Sequence, residues 1–284
     1  MTSAEFSAPV VWQLLLTVAG AAAASVQFAA LRRERTSATL PAWNAGPAQI
    51  LLFVAVCLFC FLGPGFVCAA AARELFPDAN PQENLLLQVP AAQTLSLAAL
   101  LGFAKIFPDA FPRRFDAPRE RRAGLRALVA GRFGVPAFFV AGIFVVTVGA
   151  ALTSAAVALF PENVREIFEE KQMLVDALTS AENPLAAALC VPAIVVFTPI
   201  LEEIVFRAGL YRFLKSKMAA VPAAALSSAV FALMHDAPAS YLPLALLGCV
   251  FCLAYEKTGR LAAPVLIHAL FNANSLVGIA FLAP

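Results

Sequence analysis

The sequence predicts an all-α, polytopic transmembrane helical bundle of about eight spans, four of them forming a C-terminal core. Three observations carry that prediction. Of 284 residues, 61% are hydrophobic and only 13% are charged, against about a quarter charged in ordinary soluble domains, and the mean hydropathy is +0.82. Runs long and apolar enough to cross about 30 Å of hydrocarbon recur eight times along the chain. The basic residues also fall overwhelmingly on one side of those runs. This composition excludes a water-soluble enzyme and a nucleic-acid-binding protein, and a net charge of +2 is too small to call for a polyanionic partner. The partner that the composition demands is the lipid bilayer.

Taken in order, the spans are expected at 9–31, 48–72, 85–101, 135–160, 184–201, 219–234, 241–255 and 261–284. The sixth and seventh are short. The first lacks a basic region before it and is longer than the 7–15 apolar residues of a signal-peptide core, so it reads as a retained helix. Pro64, Pro90, Pro192 and Pro199 fall inside spans and predict kinks, which protein-packed membrane helices tolerate. Loops after odd-numbered spans hold 17 of the 20 Lys and Arg residues, including eight between Lys105 and Arg132. The excess of positive charge in cytoplasmic loops then gives eight spans with both termini outside. The basic loop reads as a topological anchor, and the acidic stretch 162–182 as a short, solvated surface helix outside. The six cysteines (Cys57, Cys60, Cys68, Cys190, Cys249, Cys252) all lie in apolar runs. Their two C-x-x-C pairs are too far apart in sequence for a zinc knuckle, so they read as small packing residues. The chain divides into residues 1–183, with four spans, and 184–284, with the other four.

Ionisable groups inside spans are costly and mark function by default, and they concentrate in the last third. The fifth span ends in Glu202-Glu203 followed by Arg207, the sixth ends at Phe231 and His235, and the eighth carries His268 and Asn272. Residues four apart on a helix share a face, so Glu203 faces Arg207 and can form an intramembrane ion pair, while Glu202 needs a partner from another helix. His268 and Asn272 likewise share a face. A Glu–Arg pair near a helix end can be an anchor, a lone His can be a packing residue, and Asn272 can bridge two helices. Yet both histidines of the chain and this Glu pair lie in one four-helix segment, which favours a functional polar site. A carboxylate with an imidazole can orient and deprotonate a water, and a second imidazole with a carboxamide can donate to a developing oxyanion. That inventory suits amide hydrolysis. Glu202, His235 and His268 are equally acceptable zinc ligands, so residue chemistry leaves a glutamate-activated and a metal-activated water both open, with zinc the one cofactor to consider.

One geometric demand follows. At 1.5 Å per residue, His235 lies about 24 Å along a helix from Ala219, whereas His268 lies only about 10 Å from Leu261. A shared site therefore requires the sixth helix to begin in the cytosol or to tilt strongly, with the two imidazoles within about 12 Å.

At these residues the sequence resembles the CPBP family, the CAAX-protease and bacteriocin-processing intramembrane proteases, also called the Abi or Rce1-type family. The signatures E-E-x-x-x-R, F-x-x-x-H and H-x-x-x-N read here as Glu202-Glu203-x-x-x-Arg207, Phe231-x-x-x-His235 and His268-x-x-x-Asn272. The spacer Tyr255-Glu256-Lys257-Thr258-Gly259-Arg260-Leu261, followed by Ala263-Pro264, also looks like the family. The resemblance covers about residues 184–284 and makes those four spans a catalytic core. It implies an intramembrane endopeptidase acting on a membrane-associated protein or peptide, either a prenylated CAAX-type substrate or a peptide precursor. Carried over residue by residue, Glu202 is the base, His235 helps to activate water, His268 and Asn272 stabilise the oxyanion, and Glu203, Arg207 and Phe231 support the site. The implied location is a prokaryotic inner (plasma) membrane with the site toward the cytosol. No H-E-x-x-H, G-x-G-D or G-x-S-x-G motif occurs, which argues against the other intramembrane protease mechanisms. From other classes, a non-catalytic scaffold or immunity-type protein and a proton-coupled transporter stand as alternatives.

Overall fold

The computed structural model describes residues 8–33, 40–78, 80–106, 128–129, 131–170, 172–181 and 184–282. Most of the basic loop between Lys105 and Arg132, together with Arg35 and Lys171, lies outside the described residues. We label the helices α1 (Ala8–Arg33), α2 (Pro47–Leu75), α3 (Pro81–Ile106), α4 (Val135–Val157), α5 (Glu162–Glu169), α6 (Met173–Thr179), α7 (Pro184–Leu214), α8 (Ala220–Leu233), α9 (Tyr241–Thr258) and α10 (Ala262–Leu282). No strand occurs among the described residues. Seven of these helices are long and apolar enough to cross a membrane, and α8 is a shorter apolar helix. Eight apolar helices thus match the eight expected runs, and the chain is an integral multi-pass membrane protein. Large apolar side chains such as Val18, Leu51, Phe66 and Val67 are exposed on the outside of the bundle, as expected where lipid is the solvent.

Helix starts follow from local chemistry. At α2, Gly46 is extended, Pro47 occupies the first helical position where no amide hydrogen is needed, and Gln49 Oε1 accepts from the Gly46 N–H at 2.9 Å. At α4, an extended Gly134 precedes a proline in the first turn in the same way. Pro64 and Pro90 sit inside α2 and α3 without interrupting them.

The departure from regular geometry comes in α7, which runs ten residues or more beyond the expected end of the fifth span and carries Glu202, Glu203 and Arg207 within it. Two stretches of α7 are π-helical, Ala193–Phe197 and Ile204–Tyr211, and they flank the α-helical turn Thr198–Glu203. The first lies between Pro192 and Pro199. A proline ring clashes with the carbonyl four residues earlier and donates nothing to it, and widening to π geometry relieves both problems.

α1 packs on α4, α2 pairs with α3, α8 pairs with α9, and α9 and α10 both pack on α4, while α3 runs along α7. The central apolar cluster joins Phe53, Phe138, Leu201, Phe206, Phe231, Leu247, Phe251 and Ile267, from α2, α4, α7, α8, α9 and α10. A small residue sets the α2–α7 approach: a Cβ at Gly209 would collide with the Phe53 ring.

Polar ties fasten the helix ends. Glu256 at the end of α9 accepts from Tyr211 Oη (2.7 Å), Lys215 Nζ and the Leu40 N–H. Lys215 Nζ also donates to Leu40 O at 2.8 Å, Arg212 Nε donates to Pro41 O at 2.9 Å, and the Trp43 N–H donates to Arg212 O at 2.9 Å. The acidic stretch differs from the single solvated helix expected. It forms α5 and α6, and α6 buries Ala177 against Leu86, Ala186 and Cys190 of α3 and α7, because its apolar residues Leu174, Ala177 and Leu178 share one face. Replacing Gly209 by leucine should destabilise the fold by about 1–3 kcal/mol through overpacking against Phe53, measured by denaturant unfolding in detergent.

Candidate functional site

The site is built on α7. Glu203 and Arg207 are both fully buried, and Arg207 Nη1 lies 3.1 Å from Glu203 Oε1. Breaking such a pair in a low-dielectric interior is expensive because one charge is left uncompensated. The guanidinium carbon lies 4.4 Å from the Phe231 ring centroid, 4.9 Å from that of Phe251 and 5.9 Å from that of Phe206. Three aromatic rings therefore surround the cation and stabilise it through their negative faces.

α10 brings His268 onto this pair. Its Nδ1 lies 3.0 Å from Glu203 Oε1, and its Nε2 lies 3.7 Å from Glu202 Oε2. A carboxylate only accepts, so Nδ1 is the nitrogen that donates to ionised Glu203. The 3.7 Å approach is too long for a hydrogen bond but well inside electrostatic range. Glu202 thus finds across the helix boundary the partner that its own helix denies it. Its Oε2 is buried without a hydrogen bond among the described residues, and its side chain keeps 14% exposure where Glu203 has none.

One turn further along α10, Asn272 Nδ2 donates to Ile194 O at 2.8 Å. Ile194 lies in the first π stretch of α7, and the second is served likewise, with Ser227 Oγ of α8 donating to Phe206 O at 3.0 Å. Asn272 therefore bridges two helices and retains a second amide hydrogen for other use.

His235 is held differently. α8 ends at Leu233, and the chain turns with the Met234 N–H on Phe231 O and the His235 N–H on Ala232 O. At 14 residues α8 reaches about 21 Å, so His235 sits at the tip of a helix rather than within one. Its Nδ1 lies 3.0 Å from Phe231 O. Since a carbonyl accepts, Nδ1 carries the hydrogen and Nε2 presents a lone pair. Asp236 then accepts from the Met173 N–H at 2.9 Å, tying this turn to the start of α6.

Phe231 stands between the two imidazoles. Its ring centroid is 5.1 Å from that of His235 and 5.9 Å from that of His268, which bounds the two imidazole centroids to about 11 Å apart and satisfies the 12 Å demand of the sequence. Glu202, Glu203, Arg207, Phe231 and His268 thus form one contact network, with His235 against the Phe231 ring and Asn272 one turn along α10 from His268. Residues that the sequence did not single out are Ser227 and Phe251: the latter is fully buried and stacks on His268 with centroids 5.0 Å and planes 23° apart. A phenylalanine inside an apolar run carries no compositional signal, and a serine there is small and uncharged enough to pass as a packing residue.

Among the described residues no group of three or more His, Cys, Asp or Glu side chains is disposed to hold a metal ion, and Phe231 stands between the two imidazoles that the zinc alternative would bring together. What the cluster can do is hold a largely buried carboxylate beside one fixed imidazole, with a second imidazole across the Phe231 ring from the first.

Residues 184–274 match the family model described as type II CAAX prenyl endopeptidase Rce1-like. Over 104 residues the chain is 35% identical to the membrane-embedded CAAX protease MroQ of Staphylococcus aureus (strain USA300). That match covers 33% of this chain and 42% of the relative, so it spans less than half of the relative's length. Both matches support the CPBP and CAAX-protease resemblance of the C-terminal segment. No solved structure matches this chain.

The buried pair yields a prediction. Arg207→Met should cost about 3–5 kcal/mol of stability by leaving Glu203 unpaired, and adding Glu203→Leu should restore most of that loss. Denaturant unfolding followed by far-ultraviolet circular dichroism measures both.

Proposed function

We propose that the chain is an intramembrane endopeptidase that hydrolyses a peptide bond in a membrane-associated substrate, using a water activated by Glu202 and His235. The observation that carries this reading is the Glu202–His268 approach at 3.7 Å beside a fully buried Glu203–Arg207 pair, inside the segment matched by the Rce1-like family. A carboxylate with one buried, unbonded oxygen is suited to take a proton from water and return it to the leaving amine. His235, with its Nε2 lone pair free of the Phe231 carbonyl bond, would share in orienting that water. With Nδ1–H kept on Glu203, His268 would donate to the tetrahedral oxyanion from Nε2 once that nitrogen also carries a proton, together with the second amide hydrogen of Asn272. Glu203 and Arg207 would hold His268 in place, and Phe231 would hold both imidazoles.

The substrate is a prenylated CAAX-type protein or a peptide precursor. The asymmetry of basic residues supports a site that opens to the cytosol of a prokaryotic inner membrane.

The test is cleavage of a lipidated peptide library by protein purified in detergent. Glu202→Gln should lower cleavage by about 10²–10⁴-fold with the unfolding midpoint little changed, because Glu202 Oε2 makes no hydrogen bond among the described residues. Full cleavage by that variant would refute the assignment. A scaffold or immunity-type protein would keep its function with Glu202→Gln and His235→Ala together, and a proton-coupled carrier would show Glu202-dependent flux without cleaving any peptide.

A further inference from the structure

α9 contributes none of the motif residues, yet it presents Gly248 and Phe251, three positions apart and so on one face, to the centre of the site. Gly248 allows the approach: a Cβ there would lie 2.8 Å from Ser228 Cβ and Oγ and 3.1 Å from Arg207 Nη2. Phe251 uses it. Its ring stacks on the His268 imidazole at 5.0 Å and 23°, lies 4.9 Å from the Arg207 guanidinium carbon, and is 6.4 Å from the Phe231 ring. The Phe231 ring meets the same imidazole nearly at right angles, at 87°.

An imidazole ring turns about a broad, roughly two-fold torsion, and nothing in its own covalent structure decides which edge faces which carboxylate. A flat ring stacked on one face, with a second ring set edge to face, fixes the plane. Only in that plane does Nδ1 reach Glu203 Oε1 while Nε2 faces Glu202 Oε2. Half a turn gives the same plane with ring carbons in place of the nitrogens, so the stacked rings fix the plane and the Nδ1 bond to Glu203 selects between its two orientations. The same aromatic face also favours positive charge, so Phe251 serves both Arg207 and the imidazole when that ring is charged.

We infer that Phe251 is a positioning residue of the site: by stacking on His268 while covering Arg207, it holds the imidazole plane in which Nδ1 meets Glu203 and Nε2 meets Glu202. The catalytic consequence rests on the proteolytic reading above, but the positioning itself does not.

The chain has two histidines, so ¹⁵N-histidine labelling of the whole protein in detergent gives two imidazole spin systems, and His235→Gln identifies that of His268. In the wild type His268 should show a single form with its proton fixed on Nδ1. Phe251→Leu keeps an apolar side chain but removes the flat face, and should convert this signal to an exchange-averaged one; Phe251→Tyr should restore it. Cleavage should follow, with kcat falling about tenfold in Phe251→Leu at a KM within about twofold of wild type, and recovering in Phe251→Tyr. If Phe251→Leu does not fold, Phe251→Met is read in the same way. Unchanged His268 signals in the leucine or methionine variant overturn the inference, whatever happens to cleavage. A wild type that cleaves nothing overturns the proteolytic reading, and the imidazole comparison still decides the role of Phe251.

Discussion

Everything at the centre of this molecule depends on a full pair of charges being buried in a protein whose solvent is hydrocarbon. Glu203 and Arg207 have no exposed surface, and neither can retreat toward water without unwinding α7. Their neutralisation is geometric, through a four-residue spacing on one helix, and it is completed by neighbours: aromatic rings of α7, α8 and α9 around the cation, and an imidazole of α10 on the anion. Four helices are thereby required to meet at one place. An ion pair in isolation is weak evidence for stability, because desolvation offsets attraction. What this one provides is register, since sliding any of the four helices by one residue would strand a charge.

The irregularity of α7 belongs to the same account. A π turn leaves a carbonyl without its usual helical donor, and in hydrocarbon such a group must be served by protein. Asn272 and Ser227 serve one each, so the two distorted stretches become the points where α10 and α8 are fixed to α7. The short regular turn between them carries both glutamates. Distortion on each side allows that turn to be aimed by its neighbours, which continuous α geometry through Pro192 and Pro199 would not permit.

How much of this was legible in the sequence depended on polarity. In an apolar chain each polar group stands out, so Glu202, Glu203, Arg207, His235, His268 and Asn272 could be picked by composition alone, and the four-residue rule paired Glu203 with Arg207 correctly. The partner of Glu202 was not legible, because contacts between helices depend on packing that periodicity does not encode. The difficulty with His235 was one of depth, which spacing along one helix could not settle: α8 ends at Leu233 and the residue lies in the turn beyond it, yet both imidazoles lie against the Phe231 ring. Phe251 was hidden for the opposite reason to Glu202, being one phenylalanine among 24. The acidic segment misled because its charge drew attention from Leu174, Ala177 and Leu178, whose spacing directs one face of α6 inward.

The fastening of residues 40–43 to the ends of α7 and α9 has a further implication. From residues 40–43, main-chain atoms enter these ties: the N–H and C=O of Leu40, the C=O of Pro41 and the N–H of Trp43. The side-chain donors and acceptors come from Arg212, Lys215 and Glu256. A clasp of this kind holds the path of the chain through its backbone, while Leu40 and Trp43 bury their side chains in the apolar clusters beside it and so keep those two positions apolar. Two proteins can then share the grasping end as recognisable text and the grasped end as a path with two apolar anchors, so the N-terminal half ties itself to the C-terminal one with very few letters.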